Sequence, residues 1–211
     1  MCSHYEAPAP QRVAETFGVE LFEQGKLDLY PGYSGPFIRG VEHVDDESPA
    51  PVEVLQGAFG LIPTWSKDTK IVRSTYNCRS ETASQKPSFR TAWRKAQHCI
   101  IPAAAIYEPD WRSGKAIATR IARADGEIMG IAGLWEQWRN PGTGETLHSF
   151  TMLTLNADDH PFMRHYHKPQ DEKRMLVILP RGLYGDWLNA GAGDSMAFMR
   201  QYPADRLAVA L

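Results

Sequence analysis

A chain of 211 residues is long enough for one large domain or two small ones, and its net charge of −2 argues by itself against a nucleic-acid partner. No stretch approaches the ~20 apolar residues of a membrane helix, and the start lacks a basic segment followed by an apolar run, so we expect neither a membrane partner nor a secretory signal. Three cysteines without the spacing of a disulfide framework are typical of a reducing compartment and indicate a cytoplasmic protein.

Basic residues are concentrated between Trp65 and His98. Eight basic and two acidic side chains lie there, which gives a local net charge of +6. The basic ones are Lys67, Lys70, Arg73, Arg79, Lys86, Arg90, Arg94 and Lys95. Such a cluster can follow the phosphates of a nucleic acid, or it can be a solvated face without a ligand, and the charge pattern alone favours neither.

No internal repeat or long linker divides the chain, which predicts one domain spanning residues 1–211. A short amphipathic helix is predicted for PQRVAETFGV near the start, and a strand for VEVLQGAFGLIP, which ends at a proline. In PSFRTAWRKAQ a helix is predicted, because Phe89, Trp93 and Ala96 have helical spacing and Ser88 is a candidate cap. The apolar run HCIIPA behind it is typical of a buried strand.

Two hairpins are predicted in the second half of the chain. KAIATRIARADGEIMGIAGLW has two strand patterns around Asp125-Gly126, a strong turn signal, and NPGTGETLHSFTMLTLNA is a second candidate. MLVILP, from Met175, is predicted to be another buried strand, and GLYGDWLNAG a closing helix. Many antiparallel strands with few helices predict an α+β fold, a single domain whose curled, mostly antiparallel sheet is barrel-like and carries peripheral helices.

Cys2 directly follows the initiator methionine in the opening MCSHYEAPAP. Aminopeptidases that remove this methionine accept a small second residue, and the cut would give Cys2 a free α-amine beside its thiol. In unperturbed peptides the amine titrates near pH ~8 and the thiol near pH ~8.5, so both have a nucleophilic fraction at neutral pH. The alternative is that Cys2 is simply the second residue of an irregular start.

Asn77, Arg79 and Glu81 alternate in TYNCRSETA, so on an extended segment they would share one face. An amide, a guanidinium and a carboxylate on one face can bind a phosphate or a sugar. They can equally form a salt bridge among themselves, and both interpretations stay open.

Glu108 follows the apolar run of IIPAAAIYEPDW. Burial there would raise its pKa toward the value that a proton donor needs at neutral pH. The alternative is a solvated loop position, because a Pro-Asp pair follows directly.

Three histidines, His160, His165 and His167, lie in NADDHPFMRHYHKPQDEKRM. H-x-H can supply two zinc ligands, but no cysteine lies nearby and no HExxH motif is present, so we expect neither a metal nor another cofactor. One histidine acting as an acid–base group fits better, since imidazole titrates near neutrality. Cys78 and Cys99 are expected to be small buried hydrophobic side chains.

Taken in order, these motifs resemble the SRAP family, the SOS-response-associated peptidase or abasic-site-processing proteins. The resemblance covers most of the chain and rests on MC at the start, FGLIPTW, YNCRSETA with a helix behind it, IIPAAAIYEPDW, GIAGLWEQW, FTMLTLNAD and HKPQDEKRMLVIL. Any one of these motifs is weak by itself, whereas seven in sequence order are specific.

The resemblance implies a processed N-terminal cysteine that crosslinks to abasic sites in single-stranded DNA, an activity of crosslinking or lyase type with self-removal of the first methionine. Carried over by motif, Cys2 is the nucleophile, Asn77 orients the site, and Glu108 and His167 are acid–base residues. His167 is chosen over His165 because it directly precedes the Lys-Pro…Lys-Arg-Met run, where the family places its histidine.

The expected partner is single-stranded DNA with abasic sites, bound by a monomer that is cytoplasmic, or nucleoid-associated in a bacterium. Phosphate contacts would come from the basic stretch, and a tryptophan, Trp65 or Trp111, would be a stacking platform. The residues expected to bind DNA are Arg79, Trp65, Lys86, Arg90, Thr154 and His4.

The chain departs from the family pattern at its start, because the family usually begins Cys-Gly-Arg and this chain has Cys2-Ser3-His4. The missing arginine removes a phosphate contact, for which His4 is a partial substitute. LYPGYSGPFIR, from Leu29, stands where the family more often has Tyr-Asn-x-x-Pro. Three alternatives remain: an N-terminal-nucleophile hydrolase such as a glutamine amidotransferase domain, a peptidase that cuts only its own first residue, and a non-covalent single-strand binder.

Overall fold

Strands make up most of the regular structure in the computed structural model, which describes residues 2–41 and 52–210. The strands are β1 (Tyr5–Glu6), β2 (Asp28–Leu29), β3 (Ser34–Gly40), β4 (Val52–Phe59), β5 (Asn77–Arg79), β6 (His98–Ala103), β7 (Ala105–Asp110), β8 (Ile117–Arg123), β9 (Met129–Arg139), β10 (Thr146–Asn156), β11 (Arg174–Leu176), β12 (Ile178–Leu179) and β13 (Leu207–Val209). The α-helices are α1 (Pro10–Phe17), α2 (Val72–Thr75), α3 (Arg90–Arg94) and α4 (Tyr184–Asn189). None of the helices in this described part combines the length and the apolar character needed to cross a membrane.

Five strands close into a ring in the order β10-β4-β3-β6-β9 and back to β10. Of these pairings only β4 with β10 is parallel, and β5 adds a second parallel pairing to β10. The other sheet, β13-β8-β7-β1-β2, is antiparallel throughout. The predicted α+β fold with a curled, mostly antiparallel, barrel-like sheet is therefore confirmed.

One hydrophobic cluster joins the barrel to the antiparallel sheet. Tyr5 of β1 packs edge-on against Phe59 of β4, with ring centroids 5.2 Å apart, and both rings are fully buried. Burial of large aromatic side chains is the main stabilising term available to such a contact. The two sheets therefore share a core, and β1 is held against the barrel a few residues after the start of the chain.

Strands β9 and β10 separate partway along the barrel, and residues 174–179 fill the gap. The two strands pair as far as Gly133 and Met152, after which β11 pairs with β10 and β12 pairs with β9. At the point of separation, a Cβ on Gly133 would lie 2.3 Å from the side chain of Ile101 and 2.5 Å from the backbone oxygen of Thr151. A glycine is needed there because a backbone atom occupies the space of a side chain.

The predicted hairpin around Asp125-Gly126 is wrong in its pairing. The turn forms, with Gly126 at φ 75°, but β8 pairs with β7 and β13 whereas β9 pairs inside the barrel. The physical reason is burial: eight of the eleven residues of β9 are buried, whereas most residues of β8 are exposed or half-buried, so the two strands suit different sheets. The second segment, residues 140–157, forms the turn and one strand, β10, of a hairpin; the other strand is β9, which lies before the segment.

The remaining elements are confirmed in type and differ at their ends. Helices α1 and α4 and strands β4 and β6 form where predicted, although 3-10 turns and β13 follow α4, which therefore does not close the chain. Helix α3 is shorter than predicted: Phe89 is its N-cap without a side-chain bond, so the Ser88 cap is wrong, and Ala96 lies beyond the helix at φ 49°. The strand predicted from Met175 is split in two at Val177.

We expect Gly133→Ala to lower the free energy of unfolding by about 1–3 kcal/mol, because the new methyl group must displace backbone at the β9–β10 separation. Gly185→Ala in α4 is the control, since its Cβ would meet no atom within 4 Å and should stabilise by about 0.5–1 kcal/mol. Urea unfolding of both variants measures the difference. A Gly133→Ala variant as stable as the wild type would contradict the close backbone approach.

Candidate active site

Residues 2–4 extend β1 along the edge of β7. The Tyr107 N–H donates to the His4 carbonyl at 3.0 Å, and the Cys2 thiol donates to the same carbonyl at 3.2 Å. Cys2 is only 1% exposed. Burial, and next the charge of Glu108, raise the pKa of the Cys2 thiol to about 12. In the chain that still carries Met1, the thiol is therefore protonated at neutral pH; the nucleophilic fraction expected of Cys2 after removal of Met1 stays a prediction.

Asn77 connects Cys2 to the barrel. It begins β5, which lies parallel to β10, and its Nδ2 donates to the Cys2 carbonyl at 2.7 Å. Asn77 is buried, and its Oδ1 accepts no hydrogen bond from any residue within 2–41 and 52–210. A buried amide oxygen is costly without a partner, so a substrate hydroxyl or amine at this point would be favoured.

Glu108 lies inside β7, and its side chain is only 2% exposed. Burial raises its pKa to about 7. The alternative of a solvated loop position is wrong, and the expected rise in pKa is confirmed. A carboxyl group with this pKa can both give and accept a proton at neutral pH.

His167 is placed by its backbone. It adopts φ 66°, its N–H donates to the Pro109 carbonyl at 2.9 Å, and its Nε2 donates to the Arg174 carbonyl at 3.0 Å. Because Nε2 carries the proton, Nδ1 offers a lone pair toward Glu108, 3.6 Å from its Oε2. Burial lowers the pKa of His167 to about 4, so the expectation that it titrates near neutrality is wrong.

The other two histidines of this segment lie elsewhere. His160 is buried, with its Nε2 on the Tyr202 carbonyl at 2.7 Å and its Nδ1 accepting the Met163 N–H at 2.9 Å, so its role is structural. His165 is exposed at the end of a 3-10 turn. Among the described residues, no group of three or more His, Cys, Asp or Glu side chains is arranged to hold a metal ion.

An open cleft of about 520 Å³ lies beside His167. Its other lining residues are Tyr76, Arg79, Gln170, Asp171, Glu172 and Arg174. Glu81 falls in a 3-10 turn after β5, so the predicted shared face of Asn77, Arg79 and Glu81 is wrong.

The family model described as SOS response associated peptidase (SRAP) matches residues 1–210. The chain belongs to the SRAP family. YoqW of Bacillus subtilis (strain 168), named an abasic site processing protein, is 36% identical over 151 residues, which cover 70% of this chain and 63% of YoqW. HMCES of Gallus gallus, also named an abasic site processing protein, is 29% identical over 161 residues, 66% of this chain and 48% of HMCES. The chain thus spans less than two thirds of these curated relatives.

Two solved structures share the fold of this SRAP chain. A crystal structure of a protein from Bordetella bronchiseptica has a TM-score of 0.89 and 51% identity, and the match covers 99% of this chain and 98% of that one. A crystal structure of a protein from Bacteroides thetaiotaomicron has a TM-score of 0.78 at 24% identity, over 98% of this chain and 90% of that one. The second likeness shows the fold alone.

The residues expected to bind DNA lie in different environments in the SRAP fold. All eight basic side chains of the 65–98 stretch are exposed, including Lys86 and Arg90, and Trp65 is 56% exposed. Thr154 is buried, and its Oγ1 accepts a hydrogen bond from Arg174 Nε at 3.2 Å. The structure thus brings the charges and Trp65 to the surface and places Thr154 inside.

His4 is enclosed by aromatic rings. Its ring stacks on Tyr107 and on Tyr30, with centroids 3.9 Å and 4.3 Å away, and its Nε2 lies 2.7 Å from an oxygen of Asp28. Trp111, the other stacking candidate, is half-buried beneath the amine of Lys168.

Sequence reasoning missed an ion pair that lines the cleft. Arg174 is buried at the start of β11, and Glu172 pairs with it. A signal was present, because an arginine begins the apolar run RMLVIL, and a charged residue at the edge of a buried strand needs a partner. As predicted, Cys78 and Cys99 are buried, and burial raises the pKa of both thiols.

The raised pKa of Glu108 predicts a pH-dependent stability. The pKa of its carboxyl group is about 7 in the folded protein and 4.5 ordinarily. Between pH 4.5 and about pH 7 the folded state therefore binds more protons than the unfolded state. Its contribution to stability therefore falls as pH rises through this window. Glutamine does not titrate. As pH rises from about 4.5 to about 7, the free energy of unfolding of Glu108→Gln should therefore increase relative to that of the wild type by up to about 3 kcal/mol.

Urea denaturation at several pH values from about 4.5 to about 8 measures this difference. Glu127→Gln, at an exposed turn position, is the control for loss of one charge. A difference between Glu108→Gln and the wild type that stays constant with pH would contradict the buried, titrating carboxyl.

Proposed function

We propose that this protein captures abasic sites in single-stranded DNA through a covalent bond to Cys2, which becomes N-terminal when Met1 is removed. The observation that carries the proposal is the meeting of Cys2, Asn77, Glu108 and His167, which come from four separate segments of the chain. The names of YoqW and HMCES, abasic site processing proteins, support the same substrate.

The chemistry uses both nucleophiles of an N-terminal cysteine. The ring-opened abasic sugar is an aldehyde, and the α-amine of Cys2 attacks its carbon and releases water to give an imine. The thiol sulfur then bonds to the imine carbon, and its proton passes to the nitrogen, which closes a five-membered thiazolidine. Ring closure is intramolecular and gains from high effective molarity. No oxidant is consumed and water is the only product released.

Glu108 and His167 divide the proton transfers according to their pKa values. Glu108, with its pKa raised to about 7, is protonated in a large fraction of molecules at neutral pH and donates to the sugar oxygen and to the departing hydroxyl. His167, neutral because its pKa is lowered to about 4, accepts a proton at Nδ1 from the ammonium of Cys2.

The strand would bind through its backbone, since the target lacks a base. The eight exposed basic side chains of residues 65–98 supply phosphate contacts, and Trp65 supplies a stacking surface. The affinity for single strands should therefore decrease as the salt concentration rises. Each phosphate contact contributes about −0.7 to the slope of log K against log salt concentration. DNA binding and adduct formation then depend on separate residues.

We expect Cys2→Ala to abolish a heat-stable protein–DNA adduct and to leave reversible binding to single strands nearly unchanged, because the thiol closes the ring without neutralising a phosphate. Intact mass spectrometry of protein mixed with an abasic single-stranded oligonucleotide measures the adduct and the loss of Met1 together. Cys99→Ala, which removes a buried thiol in β6, is the matched control and should react like the wild type. An undiminished stable adduct in Cys2→Ala would refute the aminothiol role.

His167→Ala should slow adduct formation in single turnover by about 10²–10⁴-fold with little change in DNA affinity, because it removes a positioned proton acceptor. His165→Ala is the control, since this side chain is exposed two residues away. If His165→Ala is the slow variant, the assignment within the segment is wrong by two residues. If both variants react at the wild-type rate, Glu108 alone carries the proton transfers.

A further inference from the structure

Four charged side chains form a chain of ion pairs at the cleft beside His167. Arg79 Nη1 binds Oε2 of Glu172 at 2.7 Å, and Arg174 Nη1 binds Oε1 of the same carboxylate at 2.6 Å. Arg174 also binds Glu81 at 2.8 Å. Two guanidiniums and two carboxylates cancel, so this wall of the cleft offers no net positive charge to an incoming phosphate.

We propose that Glu172 is an internal competitor of the DNA backbone, and that a phosphodiester phosphate takes its place on Arg79 when a strand binds. This inference rests on the proposed function and names the group that the strand must displace. A carboxylate with one oxygen on each of two guanidiniums satisfies the same donors that two non-bridging phosphate oxygens would satisfy. Glu172 therefore occupies a phosphate subsite in the DNA-free protein.

Exposure indicates which pair opens. The side chain of Arg79 is 51% exposed and that of Glu172 is 33% exposed, whereas Arg174 is only 3% exposed. Arg174 keeps its partners when Glu172 leaves, since its Nη2 still donates to Glu81 and to the Thr154 carbonyl at 3.0 Å. Displacement thus frees an exposed guanidinium without leaving a buried charge unpaired, which would be costly.

The backbone near Glu172 is anchored independently of this carboxylate. Glu172 lies in the connection between a 3-10 turn (Met163–His165) and β11, where the Asp171 N–H donates to the Lys168 carbonyl at 3.0 Å. On its other side, the Lys173 N–H donates to Asp158 Oδ1 at 2.7 Å. A rotation of the Glu172 side chain is therefore sufficient to release Arg79, and no strand has to separate.

Binding of an undamaged single-stranded oligonucleotide, followed by fluorescence anisotropy, tests the competition without any adduct. We expect Glu172→Gln to lower Kd roughly two- to fivefold, the range that one ion pair between largely exposed side chains contributes. In the wild type, DNA binding releases the Glu172 carboxylate, which takes up a cation and so offsets part of the cations that the DNA releases. The variant has no carboxylate at this position, so its slope of log K against log salt should be steeper by up to about 0.7. Glutamine keeps the oxygen that accepts from Arg174 and Asn156, so the local fold is retained.

Asp171→Asn is the matched control. Asp171 lines the same cleft, is exposed, and forms no ion pair with any residue of the described part of the chain. If loss of negative charge were the only effect, both variants would bind DNA more tightly by the same factor. If Glu172 competes with phosphate, the affinity of Glu172→Gln should increase several times more than that of Asp171→Asn. A gain in affinity also cannot arise from partial unfolding.

Two results would overturn the inference. The first is a Kd for Glu172→Gln equal to that of Asp171→Asn. The second is a Kd for Glu172→Gln higher than that of the wild type, which would mean that Glu172 orders Arg79 for DNA binding. Failure of the single-strand binding on which the inference rests gives a different result, because the wild type would then not bind the oligonucleotide at all. A wild type that binds while Glu172→Gln gains nothing refutes the competition alone.

Discussion

The backbone edge of β7 is the interaction on which the site depends. Tyr107 holds the start of the chain through the His4 carbonyl, and two residues later the Pro109 carbonyl holds the N–H of His167. Glu108 lies on the strand between these two attachment points. Backbone hydrogen bonds do not depend on side-chain identity, so the register of pairing brings distant parts of the chain to one carboxyl group.

Burial then determines the chemical state of the groups that this edge assembles. Glu108 and His167 are neighbours, yet desolvation raises the pKa of the acid to about 7 and lowers that of the base to about 4, so at neutral pH His167 is neutral and Glu108 is protonated in about half of the molecules. A neutral acid beside a neutral base avoids the cost of two buried charges. Such a pair can exchange a proton with a substrate in either direction, which a fixed ion pair would resist.

Local signals predicted the elements whose formation depends on neighbours in sequence. The strand His98–Ala103 is six buried residues long, and its apolar run shows this directly. Pairing is different, because the turn at Asp125-Gly126 reverses the chain without determining which sheet each arm joins.

The site was predictable to a similar extent. Motif order indicated Cys2, Glu108 and His167 as a group, while the proton state of His167 depends on burial, a tertiary property. The Arg79–Glu172 pair joins residues far apart in sequence, and a linear charge pattern cannot identify partners across that distance. The ring stack around His4 shows one more consequence of three-dimensional placement: Tyr30 and Tyr107 hold its ring while Asp28 holds its nitrogen, so the chain is fastened two residues after Cys2. An exopeptidase must draw a free end into its own active site, which here would mean breaking that stack. With Met1 removed as we propose, this fastening would protect Cys2 from being trimmed in turn by an exopeptidase.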